Sequence, residues 1–134
     1  MSIKYLHHVC IQTNNYEESL RFYTDILGFE IVEETKDFHG RSYNTWLKLN
    51  SFMIELQTGK GTEALHNYNK NSEGIVHMCF FIDNIEEEVK RIQGLGYNNF
   101  AMKNGSIIYE VFGGKLCKIN APEGTIIEMR YTEI

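Results

Sequence analysis

The chain has 134 residues, 43% of them hydrophobic, with 18 acidic against 13 basic side chains and a formal net charge of −5. That length is enough for one domain that buries a core without staples. The acidic balance, with no basic cluster, excludes a nucleic-acid partner, and no apolar stretch is long enough to span a membrane. Three cysteines with no CxxC pair, and no basic-then-apolar leader, lead us to expect a reduced, cytoplasmic protein.

Residues 3–13, rich in β-branched and aromatic side chains, are expected to form a strand. A helix should follow. Asn14-x-x-Glu17 and Asn15-x-x-Glu18 both satisfy the helix-start pattern, and Tyr16, Leu20, Tyr23 and Leu27 recur at helical spacing. Gly28 suits the left-handed residue that closes a helix. Residues 29–38 and 41–50 look like strands around a turn at His39-Gly40, and 52–57 like a further strand carrying Glu55. Residues 58–74 are polar and punctuated by glycine, so they are read as a linker.

The second half repeats the order. Strand 75–82 leads to Asp83-x-x-Glu86, another capping pattern, and Ile85, Val89, Ile92 and Leu95 mark the helix. Gly96-Tyr97 matches Gly28-Phe29 after a one-residue slip. Strands are expected near 98–103, 106–112 and 115–120, then 125–131 after the turn at Ala121-Pro122-Glu123-Gly124. The chain is thus one domain, 1–134, of two βαβββ modules: 1–57 and 75–134, joined by 58–74. One such module has too little sheet to bury a core alone, so two are expected to pair.

Each module opens on a histidine, His8 and His77, which are 77 − 8 = 69 residues apart. Each closes on a glutamate in an apolar run, Glu55 in Met53-Ile54-Glu55-Leu56 and Glu128 in Ile126-Ile127-Glu128-Met129. Strand side chains alternate faces. In all four strands the purely apolar face (Val9 and Ile11, Ile54 and Leu56, Met78 and Phe80, Ile127 and Met129) opposes the His or Glu. Two imidazoles and two carboxylates at matching positions point to a divalent metal: Zn, Ni, Co, Mn or Fe. Four protein ligands leave two positions of an octahedron for water or a chelating substrate. Cys10 and Cys79 share the His face but are expected to be small buried hydrophobes, His7 to point away from His8, and Trp46 to suit a strand or a dimer interface.

These residues resemble the vicinal oxygen chelate superfamily, which includes glyoxalases, bleomycin-resistance proteins and dioxygenases. The resemblance rests on Leu6-His7-His8-Val9, Glu18-Ser19-Leu20-Arg21-Phe22-Tyr23, Leu27-Gly28-Phe29, Ile54-Glu55-Leu56, Gly74-Ile75-Val76-His77 and Pro122-x-Gly124 followed by Ile127-Glu128. It implies an α+β fold, two paired βαβββ modules forming a cupped mixed sheet around a metal held by His8, Glu55, His77 and Glu128. The full His-Glu-His-Glu set is similar to that of glyoxalase I. That implies a lyase or isomerase moving a proton through a metal-stabilised enediolate of a small α-oxo substrate, with Ni, Co, Zn or Mn as cofactor. Glu55 and Glu128 would bracket the substrate, Glu128 being the first choice for the base that leaves the metal. Two alternatives are a methylmalonyl-CoA epimerase-like acyl thioester epimerase and a non-catalytic ligand- or antibiotic-binding protein. Gln12 and Gly59 stand where glyoxalase I members often carry Arg and Asn. These departures fall on glutathione recognition and leave the metal chemistry untouched. The resemblance also implies a homodimer. Arg130 shares strand parity with Glu128 and either holds a substrate carboxylate or solvates the sheet end.

Overall fold

The computed structural model describes residues 2–132, and the chain divides into two compact units, Met1–His66 and Asn67–Ile134. The first contains β1 (Val9–Thr13), α1 (Tyr16–Arg21) running on as a π-helical segment (Phe22–Ile26), β2 (Glu30–Phe38), β3 (Arg41–Leu49) and β4 (Phe52–Thr58). Its sheet has the order β1-β4-β3-β2, with β1 parallel to β4 and the other pairs antiparallel. Ile11, Leu47, Ile54 and Leu56 form a buried face with Phe22 and Tyr23 from the helix. Each such side chain contributes about 1.5–3 kcal/mol when taken fully out of water.

The second unit contains β5 (His77–Phe81), α2 (Ile85–Gly94), β6 (Phe100–Ala101), β7 (Tyr109–Val111), β8 (Gly114–Asn120) and β9 (Ile126–Thr132). Its order is β5-β9-β8-β6, with β5 parallel to β9 and β7 also on β8. Ile119, Ile127 and Met129 are buried with Ile85 and Ile92 of α2. Both units are mixed sheets with the βαβββ connectivity expected from the sequence, β6 and β7 of the second together taking the place of one strand beside β8.

The differences have local causes. Regular strand begins at Val9 rather than residue 3 because β1 pairs only with β4, and that pairing starts at Val9 opposite Ile54. The strands expected at 98–103 and 106–112 shrink to β6 and β7, two pieces along the same neighbour β8. A tight turn separates them: Asn104 and Gly105 both have positive φ, 52° and 78°, and Lys103 and Ser106 bridge across it. Of the two candidate caps in the first half, Asn15 takes the role, accepting from the Glu18 N–H at 3.3 Å. Asn14 instead bonds to the backbone of Leu65. In the second half the cap is Asn84, accepting from the Glu87 N–H at 3.1 Å, not Asp83. The correction sharpens the repeat, since Asn15 and Asn84 are 84 − 15 = 69 residues apart, as are the histidines.

The one-residue slip at the glycines also has a cause. Cap to glycine is 28 − 15 = 13 residues in the first half and 96 − 84 = 12 in the second. The π-helical turn absorbs the extra residue, with the Leu27 N–H bonded to the Phe22 carbonyl five residues back at 3.0 Å. Gly28 and Gly96 then close their helices with matching φ of 88° and 87°. Asn84→Ala should therefore destabilise the protein by about 1 kcal/mol, and Asp83→Ala by much less. Urea unfolding of the two variants checks this; equal losses would contradict the assigned cap.

Candidate metal centre

In the first half the parallel register sets Cys10 opposite Glu55 and Gln12 opposite Gln57. His8 lies one residue before the strand, and its Nε2 is 3.7 Å from Glu55 Oε1. Its other nitrogen, Nδ1, is 2.8 Å from His7 Nδ1, one imidazole donating and the other accepting. His7 thus does not point away from His8, because strand alternation starts only at Val9. A hydrogen bond on the far nitrogen orients an imidazole and leaves Nε2 to its partner. Trp46, the β3 neighbour of Glu55, stands edge-on to His8 with ring centroids 4.7 Å apart.

The second half builds the same pair. Cys79 lies opposite Glu128 and Phe81 opposite Arg130. His77 Nε2 is 3.6 Å from Glu128 Oε1, while Arg130 Nε donates to Glu128 Oε2 at 3.1 Å. Each carboxylate oxygen therefore has its own partner. Glu128 is buried, whereas the Glu55 side chain is 20% exposed, and within its own half Glu55 has no ion pair with Lys or Arg among the described residues. His77 Nδ1 is buried with no hydrogen-bond partner among the described residues, unlike its counterpart in His8.

Burial alone would raise the Glu128 pKa. The Cys79 thiol, the Arg130 hydrogen bond and charge, and His77 outweigh it, and the carboxyl sits below its ordinary range. The thiols respond in the opposite sense. Cys10 is pushed up to about 11 by partial burial and then by Glu55, and Cys79 to about 11 by partial burial and then by Glu128. Both cysteines are nevertheless exposed residues, and only Cys117 is buried. The expectation of two small buried hydrophobes is corrected: they lie on the open face of the sheet, one beside each carboxylate.

The donor set fits a divalent ion. Imidazole nitrogen and carboxylate oxygen each bind at about 2.0–2.2 Å, so donors 3.6 and 3.7 Å apart can reach a common centre. Within each half, among the described residues, no third His, Cys, Asp or Glu completes a cluster for an ion. Each half by itself offers two candidate ligands.

The family model of the Glyoxalase/Bleomycin resistance protein/Dioxygenase superfamily matches residues 5–126. The chain belongs to this superfamily. It is similar to the mitochondrial methylmalonyl-CoA epimerase of Dictyostelium discoideum, 30% identical over 90 residues, 65% of this chain and 54% of that protein. It is also similar to the lactoylglutathione lyase of Pseudomonas putida, 25% identical over 113 residues, 66% of this chain and 65% of that protein. The chain thus spans about half to two thirds of the length of these relatives. A glyoxalase family protein from Enterococcus faecalis has the same fold, with a TM-score of 0.76 at 24% identity, covering 97% of this chain and 99% of that one.

Two neighbours of Glu55 and Glu128 were not singled out from sequence as site residues. The hairpin β3–β4 turns between Leu49 and Phe52, so counting back places Trp46 opposite Glu55. The hairpin β8–β9 likewise places Lys118 opposite Glu128. Counting across the turns would have found both.

The Arg130–Glu128 pair yields a pH-dependent expectation. A carboxylate whose folded pKa is lowered stabilises the fold above its unfolded pKa, and that stability is lost as pH falls through the folded value. Arg130→Gln should therefore lower neutral-pH stability by about 1 kcal/mol, a charged hydrogen bond discounted for the exposed guanidinium. The deficit should shrink as pH falls through the ordinary carboxylate range and towards the lowered folded value, below which Glu128 is protonated in both proteins. Urea titrations at pH 7 and pH 3 test this; a deficit independent of pH would contradict it.

Proposed function

We propose that the chain is a metal-dependent lyase or isomerase of glyoxalase I type, moving a proton between adjacent carbons of a small α-oxo substrate. The observation that carries this is the His–Glu pair built twice, at 3.7 and 3.6 Å, in matching strand registers. In this reading His8, Glu55, His77 and Glu128 together hold one divalent ion, Ni, Co, Zn or Mn. A bound ion would supply Lewis-acid stabilisation of charge on two neighbouring substrate oxygens.

The protein's own groups do the rest. Two carboxylates bracketing the substrate can take a proton from one carbon and return it to the next. Glu128 is the first choice for the base. The Arg130 bond to one of its oxygens weighs towards Glu55, the freer carboxylate. His7 holds His8 by its far nitrogen. The second reading, an acyl thioester epimerase, shares the abstraction of a proton α to a carbonyl but returns a proton to the opposite face of the same carbon, and likeness to the Dictyostelium epimerase favours it. A pure binding protein has no need of the two glutamates. A homodimer is part of the proposal, supported by Ile3, Tyr5, Leu6 and Ile75, each at least 69% exposed.

Metal analysis with a screen of α-oxo compounds, with and without glutathione, and of acyl thioesters tests the reading. Glu128→Gln should retain much of the metal, since the amide oxygen can still ligate, yet lose about 10²–10⁴-fold in turnover. His77→Ala should lose metal and activity together. Full metal with near-normal turnover in Glu128→Gln would move the base to Glu55. A wild-type protein that takes up no divalent metal sinks the proposal. Sedimentation at micromolar concentration should return a dimer, and monomer alone would contradict that part.

A further inference from the structure

The two halves share their ligand pair but differ in what flanks it. In the first half the residue opposite Glu55 on the neighbouring antiparallel strand is Trp46, and the residue two positions on is Gln57. In the second half the same two places hold Lys118, opposite Glu128, and Arg130. Side chains paired across an antiparallel ladder lie on one face, so Lys118, Glu128 and Arg130 share the face that carries His77. Phe81 and Leu116 flank Arg130. Tyr109 pairs with Leu116 and carries Lys103 over its ring at 5.0 Å.

The cations on this face exceed what Glu128 uses. Arg130 spends its Nε on Glu128 Oε2, and the Cys79 thiol lies against it. A guanidinium has five N–H donors in a fork that matches a carboxylate, and the Arg130 side chain is 32% exposed. Within its half, and among the described residues, Lys118 has no ion pair. A chain with a formal net charge of −5 thus gathers two positive side chains beside one candidate ligand and none at the matching places of the other half.

We propose that Arg130 and Lys118 form an anion subsite, so that the substrate carries a carboxylate beyond the two oxygens that chelate the ion. This rests on the metal-chelate reading above and narrows it to α-oxo acids that carry a second carboxylate. Arg130 is thereby both the anchor of Glu128 and a specificity determinant. Lys118, which makes no bond to Glu128, acts on the substrate alone.

The test is calorimetric titration of the Zn(II)-loaded protein with two chelators sharing one hydroxamate group: acetohydroxamate and the monohydroxamate of succinic acid. The wild type should bind the carboxylate-bearing probe about tenfold or more tightly. Lys118→Gln should cut that preference without changing acetohydroxamate affinity, and Arg130→Gln should remove it, with Arg130→Lys retaining part. Equal binding of the two probes by the wild type overturns the subsite while leaving the metal site standing. So does an unchanged preference in the Lys118→Gln, Arg130→Gln double variant. A protein that takes up no zinc, or binds neither probe when loaded, overturns the chelating site and this substrate class with it.

Discussion

In each half a parallel strand pair sets a histidine beside a glutamate that is distant in sequence. Cys10 faces Glu55 and Cys79 faces Glu128 in the same register, and each His–Glu contact follows from that alignment. Parallel neighbours cannot be joined by a tight turn. Each half therefore needs a helix and a run of antiparallel strands between its first and last strand. That intervening chain also supplies the apolar layer, with Ile54, Leu56, Ile127 and Met129 buried on the face opposite the carboxylates. A slip of one residue would turn Glu55 or Glu128 into this core and expose its neighbours. The buried face thus holds the register, and the register holds the His–Glu pair.

On that shared frame the halves have diverged. One carboxylate is buried and tied to a guanidinium; the other is freer and stands beside an indole that also packs against the histidine. His8 is braced by His7, while the far nitrogen of His77 is buried without a partner among the described residues. A duplicated module accounts for the His–Glu contact being built twice. It does not require the halves to play equal parts in proton transfer or recognition, and the flanking residues argue that they do not.

Much of this was legible in the sequence because it depends on period and offset. The 69-residue repeat, the alternation around His8, Glu55, His77 and Glu128, and the closing glycines are all patterns of spacing. The βαβββ order and the superfamily followed from them. What was missed depends on contacts between segments. Asn84 rather than Asp83 caps α2 because both satisfy the local pattern and only packing separates them. The broken edge strand at Phe100–Ala101 and Tyr109–Val111 turns on a positive-φ pair at Asn104-Gly105. Cys10 and Cys79 read as core by composition, yet parity alone already placed them with the histidines, on the open face. The π-helical turn is the one feature that the sequence showed without explaining, as a slip of one residue between the two glycines.

The central proposal is that the His–Glu pairs, and not the thiols beside the carboxylates, ligate the ion. X-ray absorption of the Zn(II)-loaded protein addresses it directly, because sulfur at about 2.3 Å is readily told from nitrogen or oxygen at about 2.0–2.2 Å. The account expects two imidazoles and otherwise only light-atom ligands. A sulfur ligand from Cys10 or Cys79, or a single imidazole per zinc, would contradict it.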